Sequence, residues 1–503
     1  MFEFSVACKY LIPRWRQLSV SIISMISILV ISLVVWLILV FFSVTNGLEK
    51  NWVEKLIALT APVRITPTQA YYDSYYYQID SISEASDYTY KSLREKAVSD
   101  ESDPYDADFD EELPPYWVRP DYDVNGGLKD LVKLAHQAAE ESSLTASFFD
   151  TSVGNIQLML NRDGVQSQLS QTAYLGSFDP ENHDLKKTLL TLTSDDYANL
   201  PVRDPSRWVH ERDGKMVLPQ LPGREAVLLP KKFRDAGVLV GDRGVITYHA
   251  PTTSSLQEQQ IPITVAGFYD QGVIPIGGRF VWVSPDLISM VSTAYDVSGG
   301  ATSTGINIRF DDYERAPEVK RELQQRLEDA GIASYWNVET FREYSFTRDL
   351  LQQLLSQRNL FSIISVVIIM VACSNIVSML IILVNDKRTE IGILRSMGAS
   401  SKSIAAIFGF CGLIMGLLGS LMGIFLALIT LRNIHLLINT ISYLQGHELF
   451  NVRFYGDVIP NELSGEALTF VLIATVVTSL ISGVIPAVKA SLVRPAEILR
   501  SEA

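Results

Sequence analysis

VSIISMISILVISLVVWLILVFFSV, residues 20–44, decides the fold: it lies inside a window, 18–48, that holds no Asp, Glu, Lys or Arg. A helix needs about 20 apolar residues to cross the hydrocarbon of a bilayer. Within hydrocarbon every backbone N–H and C=O must be paired inside the chain, which makes the helix the fitting form for such a window. Three more charge-free windows follow, at 359–385, 403–431 and 467–488. Each is long enough to span, and buried helices of soluble proteins rarely run so far without charge. A cleavable signal peptide has a shorter apolar run, and no small-residue cleavage site follows the first window. The expected fold is an integral membrane α-helical protein with four transmembrane helices.

Charge sets the expected orientation. The N-terminal tail (1–17) carries Lys9, Arg14 and Arg16 against Glu3, a net of +2; the turn at 385–402 nets +2 and the C-terminal tail (489–503) nets +1. The chain as a whole is −14, so the remainder carries −19. Lys and Arg collect on the cytoplasmic side of spans, which places both termini and the basic turn inside and the acidic bulk outside. The expected order is a tail (1–17), span 1 (18–46), a large outer domain (47–358), span 2 (359–384), a cytoplasmic helix (385–402), span 3 (403–431), a short outer loop (432–466), span 4 (467–488) and a tail (489–503). Cys8, Cys373 and Cys411 all lie in the tail or the spans, so the outer domain must hold itself together by its core and not by disulfides.

The outer domain begins and ends in stretches of helical spacing. Leu48, Trp52, Leu56 and Leu59 recur after span 1, and Phe346, Leu350, Leu354 and Phe361 lead into span 2, predicting two stalks. Between them, strands at 63–66 and 155–160 flank a helix at 128–141, and strands at 305–310 and 332–338 flank a helix at 316–330. The stretches 226–229, 244–250, 261–269 and 279–284 are strand-like. The economical reading is a large α/β domain containing an inserted β-rich subdomain, about 223–285. The stretch 71–123 opens on Tyr71, Tyr72, Tyr75, Tyr76 and Tyr77 and runs into eight acidic residues between Asp100 and Glu112. It reads as a Tyr-rich, acidic insertion, partly disordered or draped over the surface. Its acidic part reads as a solvated face, because the Gly and Glu spacing of an EF-hand loop is missing.

Several chemistries have no sequence basis. There is no GxxxxGK[ST] phosphate loop, no HExxH or comparable metal spacing among the six histidines, and no GxSxG elbow. The expectation is a non-catalytic chain with no metal and no cofactor of its own. The informative motif is the turn NDKRTEIGILRSMGASSKSIAAIF, residues 385–408. Read as a short helix, it sets Ile391, Leu394 and Met397 on one side, with Lys387, Arg388, Glu390 and Arg395 about them and Gly398 as the break. Such a helix either docks into a cytoplasmic partner or lies on the membrane surface. In span 3, Gly409, Gly412, Gly416, Gly419 and Gly423 share a face, which lets helix backbones approach closely, within the chain or between subunits. Ser374 and Asn375 read as interhelical hydrogen-bond groups.

The turn, MGAS included, resembles the coupling segment of the lipoprotein-releasing permeases, the LolC/LolE family within the MacB-like class of ABC transporter membrane subunits. The stretches FEFSVACKYL (2–11), SVTNGLEKNWVEKLIALTAPVRI (43–65), LGSFDP (175–180), GVLVGD (237–242), VAGFY (265–269) and IPAVKASLVRPAEILRSE (485–502) resemble that family's in its order. Thr45 stands where the family usually has Met, and the 71–123 insertion is outside its usual pattern. The resemblance implies a bacterial inner-membrane subunit with its large domain in the periplasm. Its implied partners are a separate cytoplasmic LolD-like ATPase that holds the ATP and Mg, a second permease of the family or another copy of itself, and membrane lipids. Its implied substrates are lipoproteins, handed to a LolA-like periplasmic carrier; no nucleic acid is expected. Phe41, Phe42, Val44 and Phe361 are then candidates for an acyl-chain pocket, with core packing as the alternative. The loop at 250–262 stands where some members carry a carrier-recruiting projection, and otherwise reads as an ordinary hairpin. Rival functions are a MacB-like exporter or signalling permease, and a non-transport membrane protein whose outer domain binds a protein.

Overall fold

Every charge-free window is helical. The computed structural model describes residues 2–11, 18–123, 126–141, 144–161, 168–180, 182, 185–199, 208–251, 255–271, 277–296, 301–447 and 463–491. Four helices, Leu18–Leu59, Ser345–Asp386, Ser401–Arg432 and Gly465–Ser491, are long and apolar enough to cross a membrane. The chain divides into a helical unit, Met1–Asn51 with Gln352–Ala503, and a large unit, Trp52–Leu351. Both unit boundaries fall inside helices, the first at 51/52 and the second at 351/352, so the expected stalks are continuous with spans 1 and 2.

In the large unit, β1 (Val63–Pro67) lies between β11 (Trp336–Thr340) and β10 (Ala301–Arg309), antiparallel to both. Helices Leu131–Glu140 and Ala316–Asp329 pack on these strands through one core. Val63, Ile65, Ile306, Ile308 and Val338 meet Val132, Ala135, Val319, Leu323 and Leu327 there. The second helix buries Ala316, Val319, Leu323 and Leu327, the three- and four-residue spacing of a single stripe.

The β-rich part departs from the expected insertion at 223–285. It starts at β2 (Thr145–Asn161), whose first half pairs with β10 and whose second half pairs with β7 (Arg243–Pro251). From β2 the sheet runs through β3 (Gln168–Ser177), β9 (Phe280–Val283), β6 (Glu225–Pro230), β8 (Leu256–Tyr269) and β7. The β2–β7 pairing then returns the sheet to its start, closing six strands on themselves. Leu158, Leu160, Leu175, Val227, Leu229, Ile246, Ile263, Val265 and Val281 fill the interior. Closure removes the exposed edges that an open insertion would present. The two parts therefore share β2 in one nine-stranded sheet, and β4 (His210–Arg212) and β5 (Lys215–Val217) form a separate antiparallel pair. Around the expected loop at 250–262, β7 and β8 form a hairpin paired out to Pro251↔Leu256; its tip, 252–254, lies outside the described residues.

The Tyr-rich stretch is not draped. Tyr71, Tyr75, Tyr76, Ile79 and Leu93 are buried in the α/β core, with the Tyr71 ring 5.2 Å from that of Trp336. Tyr76 donates its hydroxyl to Asp130, the N-cap of the Leu131–Glu140 helix. Beneath it Lys96 and Asp80 form a buried ion pair at 2.6 Å, and Lys96 also donates to the Tyr76 carbonyl at 2.6 Å. The segment around Tyr88 and Tyr90 and the later, acidic part face outward. There Asp110 accepts from the backbone N–H groups of Asp106 and Glu84, and no group of three potential metal ligands occurs among the described residues.

Burial raises the phenols of Tyr71, Tyr76, Tyr269 and Tyr344 well above the usual 10.0. A raised folded-state pKa means stability that is complete below the unfolded value and lost as pH rises past it. The large unit is therefore expected to hold its urea midpoint up to about pH 10 and to lose it progressively above. Urea unfolding at pH 8, 10 and 11 checks this, and an unchanged midpoint at pH 11 contradicts it.

Candidate coupling turn and span packing

The cytoplasmic turn expected from sequence is the helix Arg388–Ser396. Its end follows from backbone chemistry. Gly398 adopts φ +98°, its N–H bonds to the Arg395 carbonyl, and the Ala399 N–H bonds to that of Leu394. This is a Schellman ending, which needs a left-handed residue and so favours glycine. Two residues on, the Ser400 side chain accepts from the Ser403 N–H and starts span 3. MGAS is thus one helix stop followed by one helix start.

The site residues separate into an anchored side and an open side. Lys387 is only 5% exposed and donates to Glu390 at 2.8 Å. Its ammonium also stands over the Tyr10 ring, 5.7 Å from the centroid. Burial, and then the Glu390 carboxylate, push the Tyr10 phenol up. Tyr10 belongs to the N-terminal helix Phe2–Leu11, which lies on span 3 through Ala7 and Cys411 and through the Tyr10 and Phe408 rings. Ile391 is buried in the span core, Leu394 and Arg395 are half-buried, and Arg395 reaches Ser401.

The expected common face of Ile391, Leu394 and Met397 is therefore not formed. At about 100° per residue the six positions from Ile391 to Met397 put them on different sides, with Ile391 inside and Met397 79% exposed, beside exposed Ile393, Glu390 and Ser396. Ile393, which the sequence reading passed over, stands four residues before Met397, the spacing of helix-face neighbours. Arg388 is exposed at the helix start.

The glycine face packs within the chain, against two different spans. A Cβ on Gly412 would lie 3.1 Å from the Ser479 carbonyl, and one on Gly416 would strike the Ser479 side chain, both on span 4. On Gly419 and Gly423 it would lie 2.7 Å from Ile31 and from the Ser32 carbonyl, both on span 1. Gly409 has open space at its own Cβ position, yet Gly483 of span 4 comes close to its Cα. Span 3 is therefore the post on which spans 1 and 4 are mounted. Asn375 departs from its expected role: its Oδ1 is buried without a hydrogen-bond partner among the described residues.

At the opposite end from the turn, aromatic rings join three spans. Phe41 and Phe361 meet edge to face at 4.3 Å, Phe42 lies 6.2 Å from Phe470, and all three sequence candidates among these are half-buried, as is Val44. Phe470 has no counterpart among the residues expected from sequence. Thr45 donates to the Phe41 carbonyl at 2.9 Å, so its hydroxyl is spent within its own helix. Asn46 reaches Ser464 at the head of span 4.

Residues 362–493, which hold spans 2 to 4 and the turn, match the FtsX-like permease C-terminal family. The lipoprotein-releasing system transmembrane protein LolE of Haemophilus influenzae is 38% identical over 145 residues, 29% of this chain and 35% of that protein. The corresponding LolC of Xylella fastidiosa is 26% identical over 290 residues, 56% of this chain and 66% of that protein. The chain carries an FtsX-like permease C-terminal region and is similar to permeases of the LolC/LolE family. The LolC of H. influenzae, 30% identical over 31% of this chain and 36% of its own length, agrees. The matches thus span between about a third and two thirds of the length of these LolC and LolE relatives. The FtsX-like match covers the Schellman turn and the span 3–span 4 glycine contacts, and leaves Phe41, Phe42, Val44 and Phe361 outside it.

Proposed function

We propose that this chain is the permease subunit of an ABC-type complex that extracts lipoproteins from the outer leaflet of a bacterial inner membrane and passes them to a periplasmic carrier. The exposed Ile393 and Met397 pair carries this reading. It sits on a helix anchored from behind by Ile391 and Lys387 and closed by Gly398, a rigid knob of the kind that seats in a partner's groove. The excess of Lys and Arg at the turn and tails supports its placement in the cytoplasm, with the large acidic unit in the periplasm.

In this reading a separate ATPase binds ATP and Mg and moves the knob. The two helices that run unbroken into the large unit carry the motion onward, and no catalytic residue is required here. Phe41, Phe42, Phe361 and the newly placed Phe470 offer an apolar lining near the outer ends of spans 1, 2 and 4 for acyl chains. A second permease of the family, or another copy, completes the complex.

Met397→Asp places a charge at the knob without touching the core. Loss of about 1.4 kcal/mol or more of docking energy is a tenfold drop in affinity. The ATPase that co-purifies with the chain should fall by that factor, while the chain's own thermal stability stays unchanged. Undiminished co-purification with both Met397→Asp and Ile393→Asp would remove the docking role.

A further inference from the structure

Between spans 3 and 4 the expected loop is in part a helix, Ile434–Gln445. It follows span 3 after a single residue, Asn433, whose ψ of 32° breaks the helical path, and Gly446 closes it at φ +72°. No Asp, Glu, Lys or Arg occurs from 433 to 447.

At 100° per residue the helix has three sides. Ile434, Leu437, Ile438 and Ile441 form one, with Ile434 buried and the others half-buried against the helical unit. His435, Asn439 and Ser442 form a narrow polar wedge. Leu436, Thr440, Tyr443 and Leu444 fill a third arc of about 100°, and here Leu436 is 71%, Tyr443 88% and Leu444 77% exposed. Within that arc Thr440 donates its hydroxyl to the Leu436 carbonyl at 2.7 Å, so that hydroxyl asks nothing of water.

We propose that this helix lies in the plane of the membrane interface, with Leu436, Tyr443 and Leu444 sunk into the boundary between headgroups and acyl chains. The occupant of the face is lipid because the face continues from a span. Span 3 exposes Leu421, Phe425 and Leu428 along its length, surface that only hydrocarbon covers at no cost, and the helix begins one residue beyond Arg432. A 12-residue helix is about 18 Å long; standing upright from the span it would hold three large apolar side chains in water. Lying flat, it buries them, turns the polar wedge outward and puts a tyrosine at headgroup depth, where aromatic residues with a polar tip settle. The assignment rests on the reading of four spans. It makes the helix a float that fixes the height of span 3, and with it of the coupling turn at the other end.

The test places NBD on Leu436→Cys, Leu444→Cys and Asn439→Cys, and on Leu421→Cys as the span control. The full chain is reconstituted in vesicles of phosphatidylethanolamine and phosphatidylglycerol, with the unsubstituted chain labelled in parallel to subtract Cys8, Cys373 and Cys411. Nitroxide lipids should quench the probes at 436 and 444 at least about twofold more than the probe at 439, and aqueous iodide should reverse that order. Iodide access at 436 and 444 equal to that at 439, with 421 still quenched by lipid, overturns the interfacial helix alone. Iodide access at 421 as well overturns the spans on which it rests.

Discussion

Gly423→Leu is expected to remove about 3 kcal/mol or more from the helical unit, because overpacking costs 1–3 kcal/mol where neighbours can give way and more where they cannot. Here the obstacle is the Ser32 carbonyl and the Val35 Cβ of span 1, each 2.7 Å from where a Cβ would stand. Backbone cannot step aside as a flexible side chain does. Gly409→Ala is the internal control: its Cβ position is open, and alanine is the better helix former by up to about 1 kcal/mol, so this change should be neutral or mildly stabilising. Thermal unfolding of the purified variants in detergent separates the two positions. Equal effects would show that span 1 does not pack on span 3 as described.

Lys96→Met is expected to cost the large unit about 3–5 kcal/mol, the usual penalty when one partner of a buried ion pair is lost and the other charge is left behind. Asp80 would keep the Ser86 hydroxyl at 3.1 Å and lose the ammonium at 2.6 Å. The double change Lys96→Met with Asp80→Leu should recover most of the loss, since it removes the stranded charge as well. Urea unfolding followed by tryptophan fluorescence measures both. A single variant within about 1 kcal/mol of the parent, the range of exposed pairs, would mean that water reaches the pair.

The spans were legible because hydrocarbon imposes a crude rule, the absence of charge over some 20 residues, that any neighbour arrangement must obey. The turn was legible for a related reason: Gly398 and Ser400 act within a few residues, through their own backbone bonds. What escaped depended on distant neighbours. The sequence set five glycines on one face of span 3 but not that Gly416 meets Ser479 while Gly423 meets Ser32, since a helix face does not name its partner. The six-strand closure escaped because β2 carries polar residues such as Thr151, Ser152 and Asn155 through its middle, hiding a 17-residue strand that serves two sheets' worth of neighbours. The tyrosine stretch misled by composition. Its spacing held the better signal, because Tyr71, Tyr75 and Ile79 recur every four residues, and the chain buries them from two short helices, Gln69–Tyr72 and Tyr75–Gln78, and the turn that follows. In the turn, charge drew attention to Lys387 and Arg388, and the exposed pair Ile393 and Met397 was read only in half.

Depletion of the chain from living cells, followed by separation of inner and outer membranes, addresses the proposed function as a whole. Lipoproteins bound for the outer membrane should accumulate in the inner-membrane fraction, and re-expression of the parent chain, but not of Met397→Asp, should clear them. Outer-membrane lipoproteins that reach their destination normally in depleted cells would contradict the proposal.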